Sequence, residues 1–181
     1  MILPVLWETD TWIQRSGSEI QNQLWNFTDK GDREVTLIPE ATAIIQQMYE
    51  SNWKKSLPKP IRLFYVTRCY RYERPQEGRY REFTQFGMEI LGPNPEAYEE
   101  EATRMLKRSL DATGVAYEFD AEVTRGLSYY TRTGFEARCD ILGAQKQVAG
   151  GGTYPQGCGW AIGVDRLILA KNKQAANLAA D

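Results

Sequence analysis

Histidine is absent from all 181 residues of the chain. Without an imidazole there can be no His-ligated metal site and no histidine general base. Cysteine is scarce. Cys69, Cys139 and Cys158 are odd in number and lack metal-ligand spacing. They exclude a disulfide scaffold and read as reduced packing residues inside a cell. No apolar run approaches a membrane span, and the start MILPVLWETD has no basic region ahead of an apolar stretch. A cytoplasmic protein with no membrane partner is expected. An excess of positive charge is also missing. The net charge of −2 is poor footing for a general nucleic-acid surface, which usually carries a basic stripe. No repeat or second domain is visible.

What is present is enough for one globular domain: 42% apolar and 25% charged residues. The densest chemistry runs from Cys69 to Ile90, CYRYERPQEGRYREFTQFGMEI, with four arginines. A period of two puts Arg71 and Glu73 on one side and Tyr70 and Tyr72 on the other. From Phe83 the alternation resumes. Phe86, Met88 and Ile90 share an apolar face; Gln85, Gly87 and Glu89 share the opposite one. Gly87, between two polar groups, leaves room over the sheet for a ligand. Pro75 and Gly78 interrupt the run, so it reads as a hairpin with a long basic tip. Planar guanidinium forks in such a place suit a polyphosphate.

The remaining chain reads as short alternating elements. Strands are expected at 2–8, 25–27, 34–37, 61–74, 83–91, 116–119, 129–140 and 146–149. Asp29-Lys30-Gly31-Asp32 reads as a hairpin turn. Helices are expected from Asp10 or Thr11 to Gly17, from Pro39 to about Glu50, from Asn94-Pro95 to Gly114, and over 161–170. Gly150-Gly151-Gly152 breaks the strand pattern, and the tail 171–181 is expected to fray. Strands outnumber helices and adjoin by hairpins. That favours an α+β domain: an antiparallel sheet with helices packed on one side.

RYERPQEGRYREFTQFGMEILG resembles motif 2 of the class II aminoacyl-tRNA synthetases, and among them the histidyl enzymes. RGLSYYTRTGFE at 125–136 resembles the histidine-specific motif of that family, and GWAIGVDRLIL at 159–169 its motif 3. TLIPEATA at 36–43 resembles the segment that holds the substrate's amino group. The resemblance covers the chain to about Leu169. It implies the class II fold, an antiparallel β-sheet flanked by helices, with residues 1–170 as the catalytic core and ATP, Mg2+ and histidine as ligands. By resemblance Arg71 grips the α-phosphate and the amino-acid carboxylate. Glu73 faces the adenine amino group and Phe83 stacks on the base. Arg79 and Arg166 hold the outer phosphates, with Arg81 beside them. Arg125 reaches the α-phosphate next to the carboxylate. Glu40, Thr42 and Gln85 receive the ammonium, while Glu89, Tyr129 and Tyr130 surround the imidazole. Taken singly, each is also an ordinary residue: a salt-bridged arginine, a first-turn acid or a strand aromatic.

The chain departs from the family in several places. The resemblance implies a helix before Pro4, an insertion ahead of Arg125 and an anticodon-binding domain, and the expectation is of a core lacking all three. Ile38 stands where arginine is common, Ser128 where aspartate is, and Thr84 where histidine is. GGGTYPQG departs from the usual glycine–arginine–tyrosine–aspartate run. A homodimer is expected, because sheet edges and aromatics such as Trp7 and Trp12 invite pairing. The expected activity is formation of histidyl-adenylate, with weak docking of a tRNA acceptor stem. The alternatives are a histidine-binding regulatory paralogue, like the regulatory subunit of ATP phosphoribosyltransferase, and histidine transfer to an acceptor other than tRNA.

Overall fold

The computed structural model describes residues 1–124 and 126–179. The chain begins with β1 (Leu6–Glu8), α1 (Asp10–Ser16), α2 (Ser18–Gln21), β2 (Trp25–Thr28) and β3 (Glu34–Leu37). Helix α3 (Thr42–Met48) continues through a π-turn into α4 (Lys54–Ser56). The long hairpin is β4 (Ile61–Tyr70) and β5 (Glu82–Leu91), followed by α5 (Glu99–Asp111). Strands β6 (Glu118–Val123), β7 (Gly134–Arg138), β8 (Gln147–Tyr154) and β9 (Gly157–Gly163) precede α6 (Val164–Leu178). Strands β1, β3 and β2 form a small sheet in that order, and the main sheet runs β4-β5-β9-β8-β7-β6, antiparallel throughout. The α+β reading holds.

Side-chain alternation divides the main sheet into two working faces. On one, Met88 and Ile90 of β5 and Cys158, Trp160 and Ile162 of β9 pack with Ala102, Leu106 and Leu110 of α5. Those three recur every four residues on one side of the helix, which is why α5 docks there. Its first turn holds Glu99, Glu100 and Glu101 and its last turn Arg108, as the helix dipole favours. The other face of β9 carries only Gly157, Gly159, Ala161 and Gly163. It lies in register beside Gly87 of β5 and Gly150 and Gly152 of β8. Over Gly150, Ala161 and Gly163 these small residues leave space above the sheet. At one end of this face Tyr65, Leu91 and Tyr154 join Trp12 of α1 and Ile44 and Ile45 of α3 in a second core.

Several expectations need correction. Helices cover both faces of the sheet, not one, because α1 and α3 close one end of the glycine face. Strand β4 ends at Tyr70 rather than Arg74. Beyond it the Tyr72 amide turns to the Gln23 carbonyl at 2.8 Å, away from β5. The strand expected at 129–140 is confined to β7. Residues 150–152 do not break a strand. Gly151 lies mid-β8, where a Cβ would come within 2.3 Å of the Gly159 carbonyl oxygen. Strand β9 was not foreseen, and its residues 161–163 were expected in a helix, which instead begins at Val164. Helix α3 starts at Thr42 instead of Pro39. The Glu40 carboxylate accepts from the Thr42 and Ala43 amides at 2.6 and 3.1 Å and starts it there. Helix α6 continues to Leu178. Gln174 ties it to the Gly114 carbonyl and the Ala116 amide, and Lys173 pairs with Glu77. Trp12 is fully buried and so is not an exposed dimer contact, whereas Trp7 is half-buried and donates to Gln47.

Candidate active site

Above the glycine floor lies a cleft of about 880 Å³, part of it open to solvent. Arg71, Glu73, Arg79, Phe83 and Arg166 line one end, and Glu40, Thr42, Gln85, Tyr129 and Tyr130 the other. Residues from five separated segments therefore meet in a single cavity.

At the cationic end three guanidinium groups converge. Arg71 donates Nε–H to the Pro39 carbonyl at 3.0 Å and lies 5.2 Å over the Phe83 ring. Arg79 pairs with the Glu73 carboxylate. Arg166 projects from the first turn of α6 and donates to the carbonyls of Gly78 and Gln147. Burial, and then the charges of Arg71 and Arg79, push the Arg166 guanidinium below its usual range. Charges that repel one another in a half-buried cleft favour an anion with several negative oxygens. Asp165, beside Arg166, accepts from the Thr84 amide at 2.6 Å and locks the start of α6 to β5.

The other end is acidic and phenolic. Glu40 is buried, and besides the two amides of α3 it accepts from Ser16 and Tyr129, each at 3.4 Å. Burial raises its pKa above the ordinary carboxylate value. Gln85 accepts from the Cys69 thiol at 3.3 Å. Burial holds that thiol far above its usual pKa, so it remains a neutral donor. Tyr129 and Tyr130 lie with ring centroids 4.6 Å apart.

Two predicted residues, Glu89 and Arg81, stand apart from these two groups. Glu89 does not line the cleft. It is fully buried behind Thr42 and accepts from the Thr42 and Tyr154 hydroxyls at 2.7 and 2.6 Å. A Cβ on Gly159 would collide with its carboxylate, so that glycine is what admits it. Burial lifts its pKa to about 8. Arg81 also lies outside the cleft. Its guanidinium sits 4.7 Å over Tyr72 and 5.7 Å over Trp25. Arg125 lies outside the described residues. The room foreseen over Gly87 is taken by the Tyr65 ring, within 2.3 Å of where a Cβ would stand. Sequence reasoning missed Tyr80, Leu127, Gln147 and Asp165 in the wall, together with Tyr65 and Tyr154 below it. Only the strand pairing brings these residues close, although the small-residue alternation of β9 was legible.

Among the described residues no three Asp, Glu, Cys or His side chains converge on a metal position. Magnesium is usually held by substrate phosphates with one or two carboxylates rather than by an all-protein cage.

A six-stranded antiparallel sheet flanked by helices, with a cleft over its small-residue strands, is the fold of a class II synthetase core. The family model described as tRNA synthetase class II core domain (G, H, P, S and T) matches residues 25–157, and the chain belongs to that family. Within it, the chain is 28% identical over 257 residues to a histidine--tRNA ligase of Desulforamulus reducens, covering 86% of this chain and 61% of that protein. It is 29% identical over 274 residues to a histidine--tRNA ligase of Methanosarcina acetivorans, covering 93% and 66%. The chain thus spans about three-fifths to two-thirds of these curated relatives. The apo histidyl-tRNA synthetase of S. aureus superposes with a TM-score of 0.77 at 26% identity, over 96% of this chain and 61% of that one. An ATP phosphoribosyltransferase regulatory subunit/histidyl-tRNA synthetase from Bacillus halodurans reaches 0.78 at 16% identity, over 94% and 74%, which speaks for the fold alone.

Proposed function

We propose that this chain activates histidine with ATP, forming histidyl-adenylate and pyrophosphate, and passes the histidyl group to the ribose hydroxyl of a tRNA, with AMP as the leaving group and the hydroxyl proton released. The observation that carries the reading is the single cleft, with three converging guanidiniums at one end and a carboxylate, an amide and two phenols at the other. The amino-acid carboxylate oxygen attacks the α-phosphorus. A phosphorus–oxygen bond forms, the bond to pyrophosphate breaks, and no proton moves. A chain without histidine can run such a step, because it needs charge neutralisation and alignment rather than a general base. Arg71 holds the α-phosphate and the carboxylate together, a role its guanidinium in the cleft wall supports. Arg79 and Arg166 take the outer phosphates, and Phe83 and Glu73 the adenine. Glu40, Thr42 and Gln85 take the ammonium. Tyr129 and Tyr130 flank the imidazole, with Glu89 behind Thr42 as the acid beneath it.

The reading includes a homodimer. One face of the small sheet presents Leu6, Leu37 and Trp25 beside Val35 and Phe27, with Leu6 46% and Phe27 47% exposed. A second copy would cover these side chains.

Histidine-dependent ATP–pyrophosphate exchange tests the activity. Exchange with histidine and with none of the other amino acids is expected. Arg71→Ala should lower kcat/KM by about 100-fold or more while the fold persists. Histidine binding by calorimetry without exchange or ATP binding would point instead to a sensor of histidine.

A further inference from the structure

The basic tip between β4 and β5 is gripped twice. Arg166 holds its apex through the Gly78 carbonyl. The second grip lies outside the cleft, at the base of the tip. Tyr72 and Trp25 meet edge to face with centroids 4.8 Å apart, and Arg81 lies over both rings. The Arg81 Nε–H donates to the Glu73 carbonyl at 2.9 Å, and the Arg81 carbonyl accepts from the Arg71 amide at 2.9 Å. The Tyr72 amide donates to the Gln23 carbonyl, just ahead of β2. Arg81 thus bonds the main chain of the two residues, Arg71 and Glu73, that flank Tyr72. Both of those side chains point into the cleft.

We propose that Arg81, Tyr72 and Trp25 form a clamp that sets the ATP-facing positions of Arg71, Glu73 and Arg79. Arg81 is a positioning residue and does not touch the nucleotide. The geometry supports this on three counts. Arg81 does not line the cleft, its guanidinium is occupied by two ring faces, and its directional bond goes to backbone. A cation over aromatic faces at a partly exposed site resists displacement without closing off solvent. Through β2 the clamp also joins the nucleotide end of the cleft to the small sheet. This proposal rests on the reading of the cleft as an ATP site.

The test is calorimetric MgATP binding, with histidine-dependent exchange measured alongside, for Arg81→Ala, Tyr72→Ala and Tyr72→Phe, each checked by circular dichroism. Both alanine variants should weaken MgATP about three- to ten-fold and raise the KM for ATP equally. The KM for histidine should rise less than the KM for ATP, because, of the three positioned residues, only Arg71 also holds the amino-acid carboxylate. The double variant should be no worse than either single one, because the groups act as one unit. Tyr72→Phe keeps the ring and should restore affinity. A loss with Arg81→Ala that Tyr72→Ala does not share would mean direct contact with phosphate and overturn the clamp. An effect of Arg81→Ala on tRNA charging alone would overturn it too. A wild-type chain that binds MgATP but shows no exchange sinks the proposed activity and leaves the clamp standing. One that binds no MgATP sinks both.

Discussion

Glu89 brings together burial, charge and a small neighbour. Its carboxyl is fully enclosed, and Thr42 and Tyr154 both donate to it, yet burial outweighs them and its pKa rises to about 8. The folded state therefore binds a proton that the unfolded chain has already released above its ordinary value of 4.5. Between those two values the native state holds more protons, so stability falls as pH rises. Urea-unfolding midpoints should drop between pH 5 and pH 8 in the wild type. The slope should flatten in Glu89→Gln, and an unchanged slope would refute this account. The acid was legible in sequence as a member of the Gln85–Gly87–Glu89 face. Its concealment was not, because Tyr154 and the gap at Gly159 lie 65 and 70 positions further along the chain.

Among the elements, β9 is the instructive one. GCGWAIG was assigned no strand from sequence, yet its period of two places Cys158, Trp160 and Ile162 in one core and small residues on the opposite face. Gly151 shows the cost of crowding that arrangement. Alanine there would meet the Gly159 carbonyl and the Phe135 ring, neither of which can yield cheaply. Gly151→Ala should destabilise the protein by about 1–3 kcal/mol, read as a lower midpoint in thermal or urea unfolding. Hairpin β2–β3 was readable because its signals are local. Asp29 accepts from the Gly31 and Arg33 amides and pairs with the Arg33 side chain. Helix α6 was misread for the opposite reason. Its last turns are tied down by Gln174 and Lys173 to segments remote in sequence.

For the whole molecule, ligand and partner should both register as stability. A triphosphate that relieves the mutual repulsion of Arg71, Arg79 and Arg166 should bind only the native state. Free MgATP at 100 times its dissociation constant should add roughly 2.7 kcal/mol. The rise in unfolding temperature should shrink in high salt, since screening weakens the cationic end. Arg166→Ala should abolish most of it. Sedimentation tests the small-sheet face: Phe27→Asp should convert a dimer to monomer with the fold intact, and a wild type that stays monomeric at high concentration removes the dimer.

The sequence by itself determined the chemical inventory. Arginines at a hairpin tip, acids and phenols in matching motifs, and the lack of histidine already pointed to anion binding without proton transfer. It also carried the two-faced alternation of β5, since side-chain direction in a strand follows from local geometry. Only the tertiary structure decided which of these groups reach the cleft. Arg81 was drawn onto aromatic rings, Glu89 was sealed under Thr42, and Tyr65 filled the space over Gly87. Each outcome depends on which strand lies next to which, and strand order is set by packing between residues far apart in the chain.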